Sequence, residues 1–275
     1  MDIFENKPFT IKPLISGVYN IEDSWKEKPS GRYSAPDGRY AVNNCSDVYI
    51  VVGNEKTAVI DFSNPNDYSR ASLVLYRLAK LLGGGKPLVA LLTHNHFDHL
   101  GLVDKFVGLE EITAYLPEKD FAQYRVFPLE RTVLLRGGEV IDLGGRVLKA
   151  MPLPGHTIGS MVYVLENENI TFSGDAIGSG KHVWLFYDNS LKDLIHWGKI
   201  FYDTYANTGM TFYAGHRWQC FYKTLDINYL KQILELANQI ENDTAKKRPY
   251  RSPVKYITTE YSGDGVCIDW KKFLK

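Results

Sequence analysis

The rhythm of apolar and polar positions changes several times along the chain. "DVYIVVG" (47–53) and "TAVIDFS" (57–63) are short β-rich runs separated by "NEK", which predicts a hairpin. The next stretch, "NDYSRASLVLYRLAKLLGGG" (66–85), places Leu73, Tyr76, Leu78, Leu81 and Leu82 at near-helical spacing before a glycine stop. "KPLVALLT" (86–93) reads as a buried strand, and "EITAYLP" (111–117) as another after a short helical piece. A second β series follows in "EVIDLG", "RVLKAMPLPG", "SMVYVLE" and "NITFSGD". Ser190 with Asp193 predicts a capping box opening the helix "SLKDLIHWGKIFYDTYAN". "MTFYAGH" (210–216) predicts a strand. Leu230, Ile233, Leu234, Ala237 and Ile240 then mark one face of a long amphipathic helix.

Two β-rich series, each followed by helices, predict two sheets packed together with helices outside. No Pro/Ser-rich linker divides the chain, so residues 1–275 read as one domain, with a polar loop or arm at about 21–45. The "GGGK" at 83–86 lacks the earlier glycine and the Ser/Thr of a phosphate-binding loop, and a helix stop explains it better.

Composition narrows the function classes. The chain has 275 residues, 44% hydrophobic and 23% charged, an ordinary globular balance with no signature of disorder. Lys+Arg and Asp+Glu stand at 32 each, so no overall field recruits nucleic acid or an anionic membrane. Three widely spaced cysteines make no disulfide framework. An N-terminus with early acids and no long apolar core predicts no signal peptide, and no run is long enough to span a membrane. The expectation is a cytoplasmic protein with a small-molecule substrate, no nucleic-acid partner and no membrane. The oligomeric state stays open, a homodimer included.

Five of the seven histidines sit in three glycine-flanked segments, "THNHFDHLG", "PLPGHTIG" and "YAGHRW". His94 and His96 are two apart and point the same way in an extended segment. With the distant His156 they form a three-imidazole set that leaves coordination positions open, the pattern of a catalytic zinc site. Asp98 and His99, joined by His216, make a second set. Asp175, ending "NITFSGD", could bridge the two through its two oxygens. Gathering three imidazoles and a carboxylate in six residues without a metal would leave unmatched donors and charge.

These motifs, "HNHFDH", "PGHT", "SGD" and "GH", resemble in order and spacing the metallo-β-lactamase superfamily, which includes glyoxalase II and the quorum-quenching lactonases. The resemblance runs from about "NNCSDVYIVVG" to "YAGH". It implies the αββα four-layer sandwich, an α/β fold of two mixed sheets flanked by helices. It also implies two divalent metal ions, zinc first, with iron or manganese also suited to His/Asp ligands. The first metal falls to His94, His96 and His156, the second to Asp98, His99 and His216, and Asp175 bridges. Asp61, ending "AVIDFS", matches an early strand-end acid that supports the metal loop; as a plain residue it would only initiate the turn before "SNPND".

The chemistry expected of that set is hydrolysis. A hydroxide between two metals attacks an ester, thioester, lactone or related acyl bond, with Asp98 accepting or relaying the proton. The expected pocket wall is aromatic: Trp184, Phe186, Tyr187 and Trp218, with Arg217 or His182 placed to meet a carboxylate or oxyanion. Few charges there favour an acyl substrate over a polyanion. Three alternatives share the scaffold: a phosphodiesterase, a single-iron sulfur dioxygenase, and a non-catalytic metabolite sensor.

Overall fold

In the computed structural model the described residues are 9–23, 46–64, 68–109, 112–124, 126–220, 223–251 and 257–270. The chain divides into two compact units, Met1–Leu148 and Lys149–Lys275.

The first unit is built on one seven-stranded sheet in sequence order, β1 to β7. β1 (Phe9–Ile15), β2 (Val18–Asp23), β3 (Val48–Val52) and β4 (Thr57–Ile60) run antiparallel. The β3–β4 hairpin is the one the sequence predicts. β1 and β2 are an addition: they belong to an N-terminal stretch whose mixed polarity gives no strong period. Residues Ile21–Asp23 of the expected arm belong to β2, where Ile21 is fully buried. The remainder of the arm lies outside the described residues.

After β4 the connections change character. α1 (Tyr68–Leu82) crosses over to β5 (Leu88–Leu91), and β4, β5, β6 (Thr113–Pro117) and β7 (Thr132–Leu135) are parallel. Short helices α2 (Asp104–Val107) and α3 (Glu118–Phe121) lie between these strands, and β8 (Val140–Asp142) closes the unit. Parallel strands need such crossovers, and their four residues of β4 and β5 are buried throughout, which explains why they read as unbroken apolar runs. The core-facing side of α1 is Ala71, Leu75, Leu78 and Ala79. Leu81 was expected on that side but is 51% exposed, because it is turned away from the stripe of Ala71, Leu75, Leu78 and Leu82, the last of which still packs against the core.

In the second unit, β9 (Val147–Pro152), β10 (Met161–Leu165), β11 (Ile170–Gly174), β13 (Thr211–Ala214) and β14 (Leu225–Asp226) form a sheet in the order β14-β13-β11-β10-β9. β12 (His182–Leu185) leaves this sheet for another. α4 (Ser190–Tyr205) and α5 (Ile227–Glu241) bury their apolar faces with Phe201, Leu230, Ile233 and Ala237 in one core. All five predicted α5 face residues are buried. Asp226 caps α5, accepting the N–H groups of Asn228 and Tyr229.

The capping box predicted for α4 is not formed. Asn189 occupies the cap position and makes no side-chain cap bond, while Ser190 is already the first helical residue. One residue of shift breaks the motif: Asp193 instead accepts a hydrogen bond from the Tyr187 hydroxyl at 2.7 Å.

A third sheet, β12-β17-β16-β15, had not been expected. β15 (Lys246–Arg251), β16 (Ile257–Ser262) and β17 (Cys267–Trp270) form an antiparallel set, and β12 joins β17 in parallel. β15 reads "KKRPYR", a charged string with a proline. Those are the residues that protect an edge strand, and they hide its strand character from a hydrophobic pattern. Among the described residues, no helix is long and apolar enough to cross a membrane.

Candidate metal centre

Both units carry their candidate ligand residues just past the carboxyl ends of strands, where loops leave a sheet edge and side chains converge. In the first unit Asp61 follows β4, while Thr93 and His94 follow β5. The "HNHFDH" segment then turns through a short 3-10 stretch, Phe97–His99, in which the His99 N–H donates to the His96 carbonyl. Asp98 and His99 are buried here, His94 is 1% exposed, and His96 is partly exposed. The rings of His94 and His99 lie 4.2 Å apart between centroids, and those of His94 and His96 lie 4.7 Å apart.

Asp61 organises this cluster. Its Oδ1 accepts the Thr93 N–H at 2.9 Å, and its Oδ2 accepts both the Thr93 hydroxyl at 2.8 Å and His99 Nδ1 at 2.7 Å. It does so from a left-handed backbone conformation, φ 58°, which Asp tolerates better than most residues. The turn-initiating role is thus the smaller part of what Asp61 does. Because the carboxylate only accepts, His99 carries its proton on Nδ1. The Thr93 hydroxyl has given its single hydrogen to Asp61, so in its 3.0 Å contact with His94 it accepts from Nδ1. Both rings are therefore in the tautomer that presents the Nε2 lone pair.

The second unit repeats this logic. His156 sits in the loop after β9, and its Nδ1 donates to the Trp184 carbonyl at 2.8 Å, again leaving Nε2 as the atom that could ligate a metal. Asp175 follows β11 directly after Gly174, itself at φ 48°, and His216 follows β13. The His216 N–H donates to Ser179 Oγ at 3.0 Å, and Gly215 N–H donates to the Gly174 carbonyl, tying the two strand ends together. One oxygen of Asp175, Oδ2, lies 3.3 Å from His216 Nε2 and 3.7 Å from His156 Nε2. Ligands about 2.0–2.1 Å from a tetrahedral ion stand about 3.3–3.4 Å from each other. Each imidazole thus stands from Asp175 at a spacing that suits two ligands of one ion better than a tight hydrogen bond. The donor set of each unit, imidazole Nε2 atoms with carboxylates, fits a divalent metal of the zinc, iron or manganese kind.

The expected pocket residues divide. Trp184 and His182 line a small cavity together with His156, Asp175, Ser179 and His216. The Phe186 ring packs edge-on against His156, with centroids 5.1 Å apart. Tyr187 engages Asp193, and the Arg217 guanidinium lies 5.2 Å from the centre of the Tyr213 ring with the residue buried. Trp218 lies in the short helical stretch Arg217–Cys220, and its side chain is outside what the structure describes. Sequence reasoning missed Thr93, Ser179 and Asp120, whose carboxylate accepts the Asn95 N–H at 3.2 Å. Thr93 adjoins the first ligand in sequence and was open to suspicion; Asp120 carries no local signal.

Strand-end imidazoles and carboxylates in these tautomers define a metallo-hydrolase type of site. Comparison with known proteins gives the family. The family model of the metallo-beta-lactamase superfamily matches residues 45–216, well over half the chain, and the protein belongs to that superfamily. It is 29% identical over 212 residues to an acyl-coenzyme A thioesterase, MBLAC2, of Gallus gallus, covering 66% of this chain and 70% of that protein. The human protein of the same name is 29% identical over 191 residues, with 58% of this chain and 65% of that protein covered. A probable polyketide biosynthesis zinc-dependent hydrolase, BaeB, of Bacillus velezensis is 34% identical over 89 residues, 32% of this chain and 37% of that one.

Solved structures give the fold. A metallo-beta-lactamase from Erythrobacter litoralis superposes with a TM-score of 0.59 at 18% identity, covering 86% of this chain and 98% of the other. One from Pontibacter korlensis gives 0.58 at 17% identity, covering 84% and 99%. The fold is the metallo-β-lactamase fold, and the chain is a metal-dependent hydrolase of that superfamily.

Proposed function

We propose that the protein hydrolyses an acyl thioester or related ester of a small molecule with two divalent ions, zinc foremost. His94, His96 and His156 would hold one ion and Asp98, His99 and His216 the other, with Asp175 placed to serve both. The observation that carries this reading is the tautomer set. His94, His99 and His156 each have Nδ1 engaged by a neighbour, so each ring is pre-set to ligate through Nε2. The placement of Asp175 Oδ2 near both His156 and His216 supports its bridging role.

When bound, such ions act as Lewis acids that lower the pKa of water and polarise a carbonyl oxygen. The chain's own residues do the rest. Asp98 would help hold an ion and would accept a proton on its carboxylate. Asp61 holds His99 and Thr93 in place, and the Trp184 carbonyl holds His156. Phe186 and Trp184 supply apolar surface for an acyl group beside His156. The thioester preference is supported by the acyl-coenzyme A thioesterase relatives and by the aromatic surroundings of the second unit's ligands.

The test is hydrolysis of acyl-coenzyme A and aryl ester substrates before and after removal of metal. The account expects turnover that chelation abolishes and zinc, iron or manganese restores. Turnover indifferent to chelation, or activity confined to phosphodiesters, would refute it.

A further inference from the structure

The third sheet has one apolar and one polar face. Val183 and Ile268 point into the core of the second unit and are fully buried. Strand alternation sends their neighbours to the opposite face: His182 and Trp184 from β12, Cys267 and Asp269 from β17, Glu260 and Ser262 from β16. The register sets these side chains in two rows. Ser262, Cys267 and His182 form one, and Arg248, Glu260, Asp269 and Trp184 form the next. Polar does not mean exposed here: Glu260 is 1% exposed and Asp269 is 2% exposed.

Two carboxylates buried side by side cost several kcal/mol each unless they are matched. The matching is half complete. Arg248 Nε donates to Glu260 Oε1 at 2.5 Å, while Trp184 Nε1 and His182 Nδ1 donate to Asp269 Oδ2 at 2.7 and 2.8 Å. Glu260 Oε2 and Asp269 Oδ1 are buried with no hydrogen-bond partner. The first of these oxygens faces the cluster, 3.9 Å from His182 Nδ1, and donor atoms of His182, Glu260 and Cys267 all lie within 4.8 Å of one another. Ligands of a zinc-type ion, at about 2.0–2.1 Å for nitrogen and oxygen and about 2.3 Å for sulfur, stand about 3.3–3.6 Å apart. The set therefore closes on one ion with side-chain movements of about 1 Å.

We propose that His182, Glu260 and Cys267 form a further binding site for one divalent ion of the zinc type, with Asp269 adding its charge alongside. The site shares no ligand with those assigned to the hydrolytic ions and does not depend on that reading. Imidazole and thiol donors select against calcium and magnesium, which take oxygen ligands. The ion takes the place of the ring proton at His182 Nδ1, leaving the ring protonated at Nε2, and the Cys267 thiol gives its proton to solvent. The Ser262 side chain already hydrogen-bonds the Cys267 side chain and supports its sulfur as a ligand. The role is structural. An ion here ties β12 to β16 and β17 at the point where the Cys267 N–H donates to the Lys181 carbonyl at 2.7 Å. Because β12 also carries the Trp184 carbonyl that orients His156, the same tether steadies a candidate catalytic ligand.

The experiment loads the whole chain with cobalt(II) under nitrogen and reads the near-ultraviolet thiolate-to-cobalt charge-transfer band. The proposed hydrolytic ligands include no cysteine, so the band reports the third-sheet site independently of them. Elemental analysis of the zinc-loaded forms runs beside it. Wild type should show the band and hold one equivalent of zinc more than Cys267→Ser, which should show no band. Cys45→Ser and Cys220→Ser, at the chain's other two cysteines, should keep both the band and the zinc. Glu260→Gln should weaken binding at this site by at least about ten-fold in chelator competition. A cobalt-loaded wild type without the band, a band that survives Cys267→Ser, or equal zinc in wild type and Cys267→Ser would overturn the proposal. Each of those results leaves the hydrolase reading standing, whose own failure would show as metal-loaded wild type without turnover. If Glu260→Gln does not fold, the near-isosteric Cys267→Ser decides between the same outcomes.

Discussion

Replacing Asp61 with Asn tests the tautomer argument at its most sensitive point. Asn tolerates the φ of 58° about as well as Asp, so the backbone cost is small. Oδ1 accepts a fixed backbone donor, the Thr93 N–H, so the amide oxygen must stay on that side. The NH2 group then replaces Oδ2, where the Thr93 hydroxyl and His99 Nδ1 both donate. Thr93 can rotate its hydroxyl and accept. His99 can accept only by moving its proton to Nε2, which removes the ligating lone pair. Losses of this kind weaken metal binding by about 10–100-fold, or about 1.4–2.7 kcal/mol. The assay is chelator competition with elemental analysis of wild type and Asp61→Asn. One ion, the one held by His99, should be lost at chelator concentrations that leave the other in place. Unchanged affinity for both ions would refute the assignment of Asp61 to the His99 site.

Other consequences are simpler to measure. Asp226→Ala removes the acceptor for two N–H groups at the start of α5 and should cost about 1 kcal/mol, lowering Tm by about 2–4 °C in thermal denaturation. Leu75→Ala in α1 should cost about 2–5 kcal/mol, whereas exposed Leu81→Ser should stay within about 0.5 kcal/mol. The Tyr205 hydroxyl donates to Glu166 Oε1 at 2.5 Å, which holds the Glu166 carboxyl below its usual range; burial and then Glu166 push the Tyr205 phenol up. A depressed acid stabilises above its unfolded pKa and loses that contribution as pH falls through its folded value. A raised phenol stabilises below its unfolded pKa and loses that contribution as pH rises through its folded value. The difference in Tm between wild type and Tyr205→Phe should therefore be level through neutral pH and narrow in acid; a difference that widens in acid would contradict the pairing.

How much was legible depended on how local each signal was. α5 was read residue by residue because its face repeats at helical spacing and packs into one core. The candidate ligand segments stood out because imidazoles crowd beside glycines at strand ends, and short-range pattern carries that information. The Ser190 cap failed by one residue, since the pattern cannot tell a cap from the first turn. β15 was missed because an edge strand needs lysine, arginine and proline more than apolar alternation. Asp269 was invisible for a deeper reason: its partner His182 lies 87 residues away, and only parallel pairing of β12 with β17 brings them together. Tyr187, expected in the aromatic pocket wall, donates to Asp193, and Arg217, expected to meet a carboxylate or oxyanion, lies over the Tyr213 ring; neither contact carries a local sequence signal.

Anomalous diffraction from crystals of the metal-loaded protein tests the central claim most directly. The account predicts two metal peaks about 3.5–4 Å apart, one ringed by His94, His96 and His156, the other by Asp98, His99 and His216, with Asp175 reaching both. A single peak, or Asp175 ligating neither ion, would contradict it.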